Sequence, residues 1–354
     1  MKRAVVFVLC ICLIAGLAGC DLWLTGNYTK VVPHPIEKEP AQTDKVEVSN
    51  YTQLRDALAD VVTAGNQNAV IYYPKAEINV VSAYTEAAIR YVTQEHPVGA
   101  YAVADITYEV GTSSGVQAVA LQISYTKSTA QIRMLQSVSN LSGAKDMIAK
   151  ALEKCEPSVV FYLDNYDGTD FVQFVSDYVD GHPDVCMEFP QVSAMAYPNE
   201  GPERVIELVF SYRTSRDVLR DMQETVALFF ESAELYVSGD GAMWEKYAQL
   251  YSMLMTRHDY TLQTSITPSY SLLRHGVGDS KAFALVYAAM CRRAGLPCET
   301  VTGTKNGEVY TWNVIRDGSN LYFVDLIYSS EIGSFTAKTE PEMTGYVWDY
   351  SAYR

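Results

Sequence analysis

The stretch His275-Gly276-Val277-Gly278-Asp279-Ser280-Lys281-Ala282-Phe283-Ala284-Leu285-Val286-Tyr287-Ala288-Ala289-Met290-Cys291-Arg292-Arg293-Ala294-Gly295-Leu296-Pro297 reads as one helix with both ends marked. Asp279 and Ser280 are the residue types that cap a helix start, because a short side-chain oxygen accepts a bond from an orphan backbone N–H. Phe283, Val286, Tyr287 and Met290 fall at helical spacing and make one apolar face. Arg292 and Arg293 complement the negative end of the helix dipole. Gly295 suits the left-handed position after a helix, and Pro297 forbids continuation.

Three strand-like runs follow, Cys298 to Thr302, Val309 to Arg316 and Leu321 to Asp325, with Asp317-Gly318-Ser319-Asn320 as the last turn. A central helix feeding such a meander resembles the transglutaminase-like (papain-type core) domain. The residues that carry the resemblance are the helix itself, Ala294-Gly295-Leu296-Pro297, Gly303, Trp312-Asn313 and Tyr322-Phe323-Val324-Asp325. Tyr270-Ser271-Leu272-Leu273 fits upstream, so the likeness covers about residues 241–328. It implies a central helix packed on an antiparallel sheet. It also implies a Cys at the helix start, a His on the next-but-one strand, and an Asp on the strand after. Carried over residue by residue, Ser280 stands at the Cys position and Tyr310, two before Trp312, at the His position, while Asp325 is retained.

Those exchanges bear on chemistry. A serine hydroxyl is a poor nucleophile without a base to take its proton. A tyrosine, ordinarily titrating near about 10, is a poor general base at neutral pH. All five histidines lie at or before His275, which sits in the loop entering the helix and leading away from the base-bearing strand. Ser280 therefore reads as an ordinary helix cap. Tyr310 and Trp312 share one side of an alternating strand and are the candidate binding residues, with Trp312 packed beneath the site and Tyr310 offering a ring face and a hydroxyl. Asp325 is the expected hydrogen-bond partner of Tyr310. Cys291, deep in the helix, and Cys298, opening a strand, lack the dipole that activates a thiol and are weak starting points for a cysteine protease or amidase.

Upstream the chain repeats itself. Ala69-Val70-Ile71-Tyr72-Tyr73 matches Ser158-Val159-Val160-Phe161-Tyr162, and Leu121-Gln122-Ile123-Ser124-Tyr125 matches Leu208-Val209-Phe210-Ser211-Tyr212. Between them each copy carries a helical pattern ending in His-Pro, at His96 and His182, where a cation suits the helix end. Each copy reads helix, strand, helix, strand, strand, helix, too long for a solenoid period of about 20–50 residues. The fold class is thus α+β: two tandem α+β repeats over residues 47–137 and 138–236, then a transglutaminase-like domain over 237–354. Helical patterns at Asp217 to Ala233 and Gly241 to Met255 join the two parts.

At the start, Lys2 and Arg3 precede an apolar run ending in Leu17-Ala18-Gly19-Cys20. The run is shorter than the roughly 20 residues a spanning helix needs and has the anatomy of an export signal. It resembles a bacterial lipoprotein signal over residues 1–19, which implies lipid on Cys20. Residues 20–46, with Pro33, Pro35 and Pro40, read as an extended tether. Export allows disulfides, and Cys155, Cys186, Cys291 and Cys298 allow two, with pairing not readable from spacing. No Cys/His pattern has zinc spacing, so no metal site and no cofactor are read.

The 354 residues are 48% hydrophobic and 19% charged, which excludes wholesale disorder. A net charge of −15, from 27 basic and 42 acidic residues, repels phosphate and argues against nucleic acid as a partner. The expected protein is a lipid-anchored lipoprotein on the extracytoplasmic face of the cell membrane. Its transglutaminase-like domain is expected to be inactive and to bind or scaffold peptide, cell-wall or protein partners, and its 26 tyrosines suit an interaction surface. The alternative is a hydrolase with Ser280 as nucleophile, assisted by His275 or a deprotonated Tyr310.

Overall fold

The computed structural model describes residues 46–74, 78–113, 115–237, 241–256 and 260–353. The predicted signal, Cys20 and the tether up to residue 45 lie outside the described residues. No helix among the described residues is long and apolar enough to cross a membrane.

The first unit runs β1 (Val46–Glu47), α1 (Tyr51–Thr63), β2 (Asn68–Tyr73), α2 (Ile78–Gln94), α3 (Pro97–Ala102), β3 (Val103–Ser113), β4 (Val116–Tyr125) and α4 (Thr129–Arg133). Asn50 starts α1 by accepting from Gln53 N, and Leu54, Leu58 and Val62, one turn apart, turn the helix onto the sheet. Ile71, Val119, Leu121 and Ile123 face them from the strands. The strand order is β1-β2-β4-β3, with β1 parallel to β2 and the other pairs antiparallel.

The second unit runs β5 (Gln136–Val138), α5 (Leu141–Glu153), β6 (Ser158–Leu163), α6 (Phe171–Gly181), β7 (Gln191–Tyr197) and β8 (Arg204–Ser211). Its order is β5-β6-β8-β7, again with one parallel pair, β5 with β6, and antiparallel pairing elsewhere. Asn140 starts α5 as Asn50 starts α1. The two units touch: Val205 of β8 lies in the first unit's core, Tyr101 meets Tyr197 edge-on at 5.6 Å, and Lys127 pairs with Glu207 at 2.7 Å.

Of the two His-Pro junctions, one differs from expectation. His96 does not meet a helix end as a cation; its Nδ1 accepts from Gly99 N and caps the start of α3, which needs the neutral ring. Burial pushes its pKa down in keeping with that role. His182 ends α6, with Nδ1 2.8 Å from Tyr178 O and its ring stacked on Tyr178.

The C-terminal part contains α7 (Arg216–Tyr236), α8 (Met243–Met255), β9 (Thr261–Leu262), α9 (Pro268–His275), β10 (Val277–Gly278), α10 (Ser280–Arg293), β11 (Cys298–Lys305), β12 (Glu308–Asp317), β13 (Asn320–Val324), α11 (Leu326–Glu331) and β14 (Tyr346–Val347). The main sheet has the antiparallel order β13-β12-β11-β14. The helix quoted at the outset is α10. The sequence shows one apolar face, yet every residue from Ala282 to Cys291 is buried, because α10 is enclosed by α7, α8, α9 and the sheet. Small residues on its other faces, Ala282, Ala284, Ala288 and Ala289, permit that enclosure. Helix α7, expected with the second repeat, puts Leu219, Val226, Phe230 and Ala233 into this C-terminal core.

Candidate functional site

Helix α10 begins where β12 crosses it. Asp279 is the cap, accepting from Ala282 N at 2.9 Å, and this corrects the reading of Ser280 as the capping residue. Ser280 is the first helical residue, and its Oγ accepts instead from Thr311 N of β12 at 3.2 Å. Two residues further along that strand, Asn313 is fully buried and donates to Ala284 O at 2.8 Å, which fixes the register of β12 against the helix.

Successive side chains of a strand point to opposite sides. Tyr310 and Trp312 therefore share the side away from Asn313. Trp312 is 1% exposed, set edge-on to Tyr346 at 5.2 Å and to Trp348 at 5.5 Å. It is a core residue and presents no face to a ligand, which corrects its reading as a binding residue. Gly303 sits over it because a Cβ there would lie 2.9 Å from the Trp312 ring and 2.3 Å from Val347 O.

Tyr310 is half-buried and donates to Asp325 Oδ1 at 3.0 Å. Asp325 begins α11, accepting from Tyr328 N at 3.0 Å. Two further donors reach Oδ2, Lys305 Nζ at 2.8 Å and the Tyr346 hydroxyl at 2.5 Å. The Lys305 ammonium also lies 4.6 Å from the centre of the Tyr310 ring and 5.2 Å from that of Tyr346. Burial alone raises a carboxyl pKa, but the hydrogen bonds from Lys305 and Tyr346 outweigh it and hold Asp325 below the ordinary carboxylate value. Burial, then the neighbouring Asp325 charge, pushes the Tyr310 hydroxyl well up, and burial with the bond to Asp325 does the same to Tyr346.

The structure thus brings Ser280, Tyr310 and Asp325 to one small gap, which does not admit a water molecule. Lys305 and Tyr346 were not found from the sequence. Asn306-Gly307, both at positive φ, is a two-residue hairpin turn, and it extends β11 and β12 far enough to carry Lys305 to the site. His275 ends α9 with its ring against Tyr270, and no imidazole among the described residues is hydrogen-bonded to Ser280. Cys155, Cys186, Cys291 and Cys298 are all free thiols, and burial pushes up the first three. No group of His, Cys, Asp and Glu among the described residues is arranged to hold a metal ion.

The family model of the transglutaminase-like superfamily matches residues 232–325, from the end of α7 to the carboxylate at the centre of this network. That segment is a transglutaminase-like domain. Among solved structures, a candidate cysteine protease from Cytophaga hutchinsonii is similar at 12% identity and TM-score 0.26, over 42% of this chain and 66% of its own. A candidate protease from Parabacteroides distasonis is similar at 9% identity and TM-score 0.23, over 77% of this chain and 44% of its own. No curated protein matches the chain. The hydrogen bonds at the gap link α10, β11 and β12 of the matched segment with α11 and β14, which lie beyond it.

Proposed function

We propose that this protein is a lipid-anchored lipoprotein whose transglutaminase-like domain binds or scaffolds an extracytoplasmic partner without catalysis. The carrying observation is the saturation of Asp325. Its two oxygens accept from Lys305, Tyr346, Tyr310 and Tyr328 N, and the gap beside Ser280 is closed to water. A serine nucleophile needs a base in reach and an approach for the substrate carbonyl. Asp325 is held ionised by its own donors, and Tyr310 keeps its proton more firmly than a free tyrosine. Neither group takes a proton from Ser280 near neutral pH. The anchoring part of the reading is supported by the basic start, the short apolar run and Cys20 after Leu17-Ala18-Gly19.

Two experiments test the two halves. A fluorophosphonate probe is expected to leave Ser280 unmodified, and an adduct at Ser280 that disappears in Ser280→Ala would overturn the inactive reading. In cell fractionation the protein is expected with the membranes, with Cys20→Ser moving it to the soluble fraction. Equal partitioning of both forms would remove the anchor.

A further inference from the structure

A cavity of about 430 Å³ lies between the second unit and the transglutaminase-like domain, outside the Ser280 gap. Its walls are Val179, Pro183 and Met187 on one side and Pro268 and Leu285 on the other. Three of the chain's exposed large apolar side chains stand in that lining, Val172 at 41%, Phe189 at 46% and Ile266 at 47% exposure. Exposed apolar groups gathered at one cavity mark a binding surface more often than chance burial.

Strand β7 starts inside this cavity at Gln191 and Val192. It is an edge strand: β8 pairs with one side of it, and no backbone bond among the described residues reaches the other. Along its length Ala194, Met195 and Ala196 line a second cavity of about 340 Å³, with Asp170 in its wall. An open edge between two cavities is the geometry that accepts an added strand. The charge around it is acidic on balance: the second unit, residues 136–211, carries 13 acidic against 4 basic side chains, and the first cavity sets Asp180, Glu188 and Asp279 against Arg213 and Lys281. Such a field recruits cations and repels acidic partners.

We propose that β7 and the cavity at its start bind an extended, cationic peptide segment by strand addition, with one bulky apolar side chain seated among Val172, Phe189 and Ile266. Backbone bonds to β7 supply affinity, the cavity selects the apolar residue, and the acidic second unit selects flanking lysine or arginine. This goes beyond the binding role proposed above, which stands or falls on Ser280 labelling, independent of this peptide.

The test uses the full chain and a fluorescein-labelled Lys-Thr-Val-Phe-Val-Thr-Lys amide, followed by anisotropy. Saturable binding is expected, weakened about tenfold or more in the double variant Phe189→Ala with Ile266→Ser. Those positions are half in solvent, so the fold survives the change, as circular dichroism checks. Binding is also expected to vanish when alternate peptide amides are N-methylated, and to weaken when both peptide lysines become glutamates. No saturable signal up to about 1 mM, the weak end of specific association, overturns the proposal. So does binding that the variant or N-methylation leaves unchanged. A concentration-dependent dimer lost in the same double variant would give the edge to a second copy of the chain and overturn it equally.

Discussion

At the scale of single residues, Asp325 shows how one carboxylate can hold several elements together. Its folded pKa lies below the ordinary value of about 3.9, so the unfolded chain binds more protons as pH falls. The stabilisation is therefore fully present above about pH 4 and is lost as pH drops through the folded value. Asp325→Asn should flatten the acid limb of a stability profile taken by urea unfolding between about pH 2.5 and 7, and should cost about 3 kcal/mol at neutral pH by leaving Lys305 unpaired. An unchanged acid limb would deny Asp325 that role. Gly303→Ala should cost about 2 kcal/mol in the same measurement, since its new methyl meets Val347 O and the Trp312 ring. The pair Ser280→Cys with Tyr310→His tests whether the two positions face each other. A thiolate absorbance appearing below about pH 8.5, the ordinary cysteine value, is expected, and an ordinary titration would separate them. Ser280, Tyr310 and Asp325 were legible because each stands at a fixed distance from a recognisable partner, the helix start or Trp312. Tyr346 was not, because it comes from a two-residue strand 21 residues past Asp325, too short to leave a pattern.

Among elements, α10 is tied to the second unit by ion pairs at both of its ends. Asp184, whose side chain is 8% exposed, accepts from Arg293 Nη2 at 2.9 Å and from Arg292 Nη2 at 3.5 Å. At the other end of the helix Lys281 pairs with Asp180 at 2.8 Å. The sequence assigns both arginines to the helix dipole, and the structure adds this second task, which no local pattern encodes. Asp184→Ala should destabilise by about 1–2 kcal/mol, less than a fully buried pair because both guanidinium groups reach solvent. Thermal melts of wild type and variant in low and high salt check it, with the difference expected to shrink as salt rises. Element identity was legible where caps and periodicity agreed, as in α10. The enclosure of α10 on all sides was not, because alanines read as neutral until something packs on them.

For the whole molecule, the tyrosines set the alkaline limit. Burial raises the pKa of tyrosines in every core, among them Tyr73, Tyr101, Tyr212, Tyr247 and Tyr287, and pushes Tyr125 up to about 12. With folded values above the unfolded value of about 10, their stabilisation is complete below pH 10 and is lost as pH rises toward the folded values. The share of tyrosinate absorbance that comes from these buried rings should therefore appear together with loss of helix signal above about pH 10. Smooth tyrosinate titration with the helices intact would contradict this burial. The α+β class and the paired strands were legible from repeated apolar runs. The allegiance of α7 was not, since an amphipathic stripe does not name the surface it will meet. During synthesis that stripe has a temporal consequence. Leu219, Val226, Phe230 and Ala233 leave the ribosome before α8 and α10, which cover them, have been made. The nascent chain thus trails a bare apolar helix until Leu296 has emerged, and this interval is where a holdase would find its hold.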